Sequence, residues 1–427
     1  MAHTPMVALA AVLFAATSVV SAAERDLGHE TLTPNDGWAS FSGGTSGGAA
    51  ADRTRIYTVQ DRRGLQAALQ DGDKPKIIYV DGDIDANTDD DGGSIACDKY
   101  AAPGFTLDAY VQAFEPAVWS TSTQPSGPLE DARRTSQQNQ AARVQLQVGS
   151  NTTIVGLHDT AFVSGAQLAL NGVDNVIIRN LNFEDTYDCF PSWDPSDGGS
   201  WSPRYASLSI SGSTHVWIDH NSFDTSLHPD AGQPVFLGRE FQVHASALDV
   251  SHGSDLVTVS WNEFHDYDRA VEIGAAEGTA VDPAKVRVTL HHNLFQGTAT
   301  DAPRVRAGQV HLYNNLYDIP DLSRYQFSWG LDPDARLFAE NNFFLSSDAR
   351  PNRLLRAFNA SALHTSGTLL GPALSAAPVD VLAVYNAEHD AQLAPDVGWT
   401  PTLTLGVDAT QNVVGAVRDG AGPLSVP

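Results

Sequence analysis

From about residue 143 the chain alternates apolar and polar positions in short runs, and each run ends near an asparagine and an aromatic. The runs are HVWIDHNSF (215–223), LVTVSWNEF (256–264), VRVTLHHNLF (286–295), VHLYNNLY (310–317) and ARLFAENNFF (335–344). Each places an Asn two residues before Phe or Tyr: Asn221, Asn262, Asn293, Asn315 and Asn342. Three residues before each Asn stands an apolar residue (Ile218, Val259, Leu290, Leu312, Ala339), and two further back another (Val216, Val257, Val288, Val310, Leu337). This is period-two alternation with one face turned inward, repeated at intervals of 41, 31, 22 and 27 residues.

Irregular intervals with a constant strand-end pattern predict a solenoid whose turns carry insertions. Parallel strands stack ~4.8 Å apart, so the recurring asparagines would form a ladder at one bend, each amide donating to one neighbour and accepting from the other. A sandwich would need hairpin dipeptides such as Asn-Gly between strands, and these are scarce. The fold class expected is therefore all-β, a right-handed single-stranded parallel β-helix with long side loops. NTTIVGL (151–157) and NVIIRNLNF (175–183) read as further coils. In DRRGLQAALQ (61–70), Leu65, Ala68 and Leu69 fall at helical spacing, which predicts a helix capping the open end of the solenoid.

Residues 1–23 carry an apolar stretch from Met6 to Val20, then Ser21, Ala22 and Ala23, the layout of a signal peptide with a weak basic start. No later apolar run is long enough to span a bilayer. The expected organisation is a signal peptide at 1–23 and one β-helix domain at 24–427, with an N-terminal cap at about 24–75 and a C-terminal wrapping segment at about 346–427. The expected location is extracellular. In an oxidising compartment the two cysteines, Cys97 and Cys189, would be joined in a disulfide; two buried thiols are the alternative.

Formal charge is −26, from 51 acidic and 25 basic residues. Such a surface repels nucleic acid and anionic membranes, and a monomer needing neither is expected. The Gly-rich run at 43–51 lacks the following Lys and Ser/Thr of a phosphate loop.

The ordered segments GWASFSGGTSGG (37–48), KIIYVDGDID (76–85), VGSNTTIVGL (148–157), NVIIRNLNF (175–183), VWIDHNSF (216–223), SDLVTVSWNEFHDYD (254–268), VRVTLHHNLF (286–295), DAPRVRAGQVHLYNNLYD (301–318) and PDVGWTPTL (395–403) resemble the secreted bacterial pectate lyases. The resemblance covers nearly the whole chain after residue 24. It implies eliminative cleavage of a pectate-like, uronate-containing polysaccharide, with calcium held by carboxylates, an Arg base, and Lys and Arg on the substrate's carboxylates. Position by position this chain departs from that pattern. Two calcium carboxylates fall on Ala206 and Ala245, and the third is Asp249. The family's Lys is Arg269. In its R-x-P-x-x-R run the first Arg, the base, is Asp301, while Pro303 and Arg306 stand in place.

One carboxylate is too few for calcium, which takes six to eight oxygens. No cofactor is therefore expected, and calcium would enter only if the family's mechanism persisted. Asp301, Arg306, Arg269 and Asp249 are the candidate catalytic residues, with Arg269, Arg306 and Trp193 on the substrate. Trp193 would either stack on a sugar ring or cover the coil beneath it. Asp219 and His220 read as structural, and of His291 and His292 only one can face outward. Three activities remain open: an altered lyase, a glycoside hydrolase using Asp301 and Asp249 as its carboxylate pair, and a carbohydrate-binding relative without catalysis.

Overall fold

The computed structural model describes residues 26–274 and 282–425. The signal segment expected at 1–23 lies outside them. Three parallel faces wind into a β-helix. The first stacks Gln145–Val148, Gln167–Asn171, Leu208–Ser211, Leu248–Ser251, Val271–Ile273, the first parts of Arg304–Tyr313 and Trp329–Glu340, and Leu355–Ala357. The second runs from Ile56–Val59 to His364–Ser366, and the third from Asp83–Asp85 to Leu369–Gly371.

Alternation sets what each face buries. On the first face Leu146, Leu168, Leu208, Leu248 and Val271 share one register row, and all are buried. Residues one position on point away from the core, so the same strands present a second, outward row. That row reads Gln147, Ala169, Ser209, Asp249, Glu272, Arg304, Gly330, Arg356.

The asparagine ladder forms as the strand-end pattern requires. Each amide nitrogen donates to the next coil's Oδ1: Asn221 to Asn262 at 3.0 Å, Asn262 to Asn293 at 3.0 Å, Asn293 to Asn315 at 2.9 Å and Asn315 to Asn342 at 3.1 Å. Beside it Phe183, Phe223, Phe264, Phe295, Tyr317 and Phe344 stack face to face, with centroids 4.4–5.1 Å apart.

The helix Arg62–Leu69 closes one end, burying Leu65, Ala68 and Leu69 against the core. At the other terminus Thr410–Gly420 lies on the third face, with Val413 and Val417 against Leu316 and Phe343. An early segment covers the second face. There Gly37 has φ +72°, and a Cβ would lie 2.5 Å from Thr258 Oγ1, so only glycine fits. Where side loops were expected, the insert after Asp85 holds three helices, including Pro128–Val144. Cys97, which opens the short helix Cys97–Tyr100, is disulfide-bonded to Cys189 and ties that insert to the β-helix.

Candidate active site

The outward row of the first face changes character at Asp249. From Gln147 to Ser209 it is uncharged, then two carboxylates and a guanidinium follow on consecutive coils. A cavity of about 280 Å³ opens over this step, with Asp249, Arg269, Glu272 and Arg306 in its wall. Ala206 and Ala245 line it too.

Asp249 and Glu272 are direct cross-strand partners, an arrangement in which like charges repel. The Arg306 guanidinium donates to Glu272 Oε2 at 3.1 Å and the Ser251 hydroxyl to Asp249 Oδ2 at 3.0 Å. Burial pushes the Asp249 carboxyl up to about 6; the Ser251 hydrogen bond pulls it down, and the charge on Glu272 adds to the rise. Arg269 precedes the strand carrying Glu272 and bridges Thr300 on the next coil. No carboxylate pairs with it among the described residues.

Asp301 is close to this group but does not line the cavity. It is 4% exposed, its φ is +54°, and its Oδ1 has no hydrogen-bond partner. The side chain lies over the next coil at Gly330, where a Cβ would stand 3.1 Å from Oδ1. The missing side chain at Gly330 leaves the room it occupies. Burial raises its pKa to about 6, with Glu272 adding to the rise and Arg304 and Arg269 opposing it. The carboxylate pair open to the cavity is thus Asp249 with Glu272, and the expected pair of Asp249 with Asp301 is corrected. Glu272 escaped the motif reading, although the alternation Val271, Glu272, Ile273 already turns it outward.

Trp193 is not at the cavity. It is 2% exposed, packed with Tyr110, Phe114, Trp201 and Phe241 beneath the helical insert, so the expectation of a sugar-stacking ring there is corrected. Asp219 is buried in an ion pair with Arg179 at 2.7 Å and accepts from Ser260. His291 and His292 are both buried, their Nδ1 atoms 2.9 Å apart.

The pectate lyase family profile matches residues 5–108 and 120–391. The chain belongs to the pectate lyase family. A pectate lyase of Bacillus subtilis (strain 168) is 40% identical over 429 residues, covering 98% of this chain and 99% of that protein. Pectate lyase E of Dickeya chrysanthemi is 33% identical over 369 residues, covering 83% and 80%. Among solved structures, a Bacillus subtilis pectate lyase mutant superposes with a TM-score of 0.88 at 38% identity, over 94% of this chain and all of that one (100%). A pectate lyase bound to a hexasaccharide gives the same TM-score, 0.88, at 38% identity, over 94% of this chain and 100% of that one.

The pectate lyase resemblance implies calcium, and the donor set here does not fit it. Ala206 and Ala245, in the cavity wall, offer methyl groups and no side-chain oxygen. The two carboxylates present share the cavity with Arg269 and Arg306, whose charges oppose a dication. No cluster of three or more His, Cys, Asp or Glu side chains suited to a metal occurs among the described residues.

Proposed function

We propose that this chain is a secreted, monomeric polysaccharide lyase that cleaves a pectate-like polyuronate without calcium, and that it binds neither nucleic acid nor membranes. No helix among the described residues is long and apolar enough to cross a membrane. One observation carries the chemical reading: Asp249 and Glu272 face the same cavity as Arg269 and Arg306. The guanidinium of Arg269, which makes no ion-pair contact among the described residues, and the remaining donors of Arg306 bind the uronate carboxylate, which makes the hydrogen on C5 more acidic. Asp249 then takes that proton. The released electron pair forms the C4–C5 double bond, the C4–O4 bond breaks, and the leaving oxygen takes a proton from water. A carboxyl near 6 is mostly ionised at neutral pH and more basic than an ordinary aspartate, as such a base requires. Glu272 stays paired with Arg306 and keeps Asp249 basic. Asp301, sealed behind the row, is assigned no contact with substrate.

The experiment is incubation with polygalacturonate in the presence of a chelator, with product mass and near-ultraviolet absorbance recorded. Unsaturated products, one water lighter than hydrolysis products, are expected. The adjacency of Asp249 and Glu272 also favours a second reading, hydrolysis by a carboxylate pair. Saturated products with new reducing ends would establish that reading and overturn elimination. Binding with neither product would make this a carbohydrate-binding relative.

A further inference from the structure

Residues 225–247 leave the solenoid after Ser222–Asp224 and return to it at Leu248–Ser251. The excursion carries a small antiparallel pair, Val235–Phe236 with Arg239–Glu240, and packs Leu237, Phe241 and Val243 with Trp193 and Trp201. Its two ends are held at one point. At the outgoing end Asp185 Oδ1 accepts from the His228 backbone N–H at 3.0 Å, and Asp185 Oδ2 contacts His228 Nδ1. At the returning end Asp230 Oδ1 accepts from the backbone N–H of Val243 at 2.9 Å and of His244 at 3.3 Å. The Asp188 N–H donates to the Val243 carbonyl at 2.8 Å.

His244 closes this junction. It is 1% exposed, with Nε2 3.1 Å from Asp185 Oδ1 and Nδ1 3.4 Å from Asp230 Oδ1, and both carboxylates are buried. The Tyr267 ring packs edge-on at 6.3 Å. A neutral imidazole has one donor and one acceptor, so it would turn a lone pair on one of the two carboxylates. Only the imidazolium presents an N–H to each. Burial pulls the ring's pKa down, and the two carboxylates outweigh it, holding His244 at about 9. His244 does not line the cavity, but the next two residues, Ala245 and Ser246, do, and so does Asp249. On its other side Gln242 donates to Asp268 Oδ2 at 3.1 Å, and Asp268 precedes Arg269. His244 thus stands between the segment that delivers Asp249 and the contact that reaches the neighbour of Arg269.

We propose that His244 is a positioning residue for the elimination: clamped between Asp185 and Asp230, it fixes where residues 245–249 enter the cavity wall, and so where the Asp249 carboxylate stands relative to Arg269. The proposal rests on reading Asp249 as the base. A buried ring that touches no substrate acts only through geometry, and a misplacement of about 1 Å at the reacting atoms costs up to roughly 100-fold in rate. Arg269 and Arg306 lie on later coils and keep their hold on the substrate, so kcat falls while KM holds.

The test is kcat and KM on polygalacturonate in the presence of a chelator, well below each variant's melting temperature. His244→Gln offers donors to one carboxylate and a carbonyl oxygen to the other, so kcat should fall roughly 30-fold with KM within about three-fold. Adding Asp230→Asn gives that oxygen a donor, while the new amide's own oxygen still accepts from Val243, and should restore kcat roughly five-fold. Asn262→Ala, which weakens the solenoid away from this loop, should keep wild-type kcat. If His244→Gln does not fold, Asp230→Asn alone carries the test, with kcat down roughly five-fold at unchanged KM. Wild-type kcat in the variant that carries the test, a loss carried by KM, the absence of rescue, or an equal loss in Asn262→Ala would overturn the positioning role. Asp249→Asn separates that failure from failure of the reading beneath it. Wild-type turnover in Asp249→Asn would overturn Asp249 as the base, and the role of His244 with it. Loss in Asp249→Asn with none in His244→Gln would overturn the positioning role alone.

Discussion

Two rows of the same solenoid obey the same stacking geometry and arrive at opposite chemistry. Inside, the row of Asn221, Asn262, Asn293, Asn315 and Asn342 repeats one residue, and every link is a hydrogen bond of 2.9–3.1 Å. Outside, the row through Ser209, Asp249, Glu272 and Arg304 changes at each coil. An amide carries both donor and acceptor, so repetition satisfies it. A carboxylate carries only acceptors when ionised, so repetition sets charge against charge. Burial in this wall raises Asp249 to about 6, and the charge of Glu272 one coil away adds to the rise. Identity along a coil stack marks what holds the fold, and a break in identity on an outward row marks a place where stability has been given up.

The largest expected effect falls on the outer row. Asp249→Asn keeps the shape and the Ser251 contact but removes the base, so turnover on polygalacturonate should fall at least roughly 100-fold. Its melting temperature should stay level or rise, because a carboxylate opposed by Glu272 is lost. An activity close to wild type would place the base elsewhere.

Breaking the inner row should do the reverse. Asn262 Nδ2 donates to Ile218 and Ser260 carbonyls and to Asn293 Oδ1, while its Oδ1 accepts from Asn221. Asn262→Ala strands several of these buried groups at once and should cost about 3–4 kcal/mol in unfolding experiments. Activity well below the new melting temperature should persist. A loss under about 1 kcal/mol would mean that the ladder decorates the core and does not hold it.

The contrast also explains what was legible in the chain. The inner row was readable because its spacing is local: apolar positions and the Asn repeat inside every strand. Pro128–Val144 was not, since its buried side carries Glu130, Arg133, Gln137 and Gln140, leaving no apolar stripe to read. Motif order singled out Asp249, Arg269 and Arg306, which the fold brings into one cavity wall. The burial of Asp301 could not be read, because it depends on the absent side chain of Gly330, a neighbour in space on the following coil. Trp193 was ambiguous for a similar reason: the rings that cover it, Tyr110 and Phe114, belong to a distant insert.

Asp301 sharpens the comparison as a charge hidden behind the outer row. Its carboxyl titrates near 6 in the folded chain against an ordinary 3.8. Between those values the folded chain holds a proton that the unfolded chain has released. Stability is therefore lost as pH rises from about 4 to about 6, and is not regained above. Asp301→Asn should add about 1–2 kcal/mol near pH 7.5, allowing for the unmet donors of the new amide, and nearly nothing near pH 4. Urea titrations at the two pH values read the difference directly, and equal effects at both would show that the carboxyl is not the source.

The smallest expected effect is that of a chelator. Ala206 and Ala245 offer the cavity only methyl groups, and Asp249 with Glu272 leaves a cation too few oxygens to replace its water shell. Arg269 and Arg306 in the same wall add repulsion. Turnover should change less than about two-fold on removal of divalent ions. Ala206→Asp with Ala245→Asp brings the cavity to four carboxylates and should create calcium affinity that calorimetry can measure. It should not raise turnover, because the proton on C5 still has only Asp249 to take it, and a bound cation would lower that carboxyl's basicity. A native activity that a chelator abolishes and calcium restores would overturn the metal-free reading, and it would make Asp249 a ligand where the outer row now has it as a base.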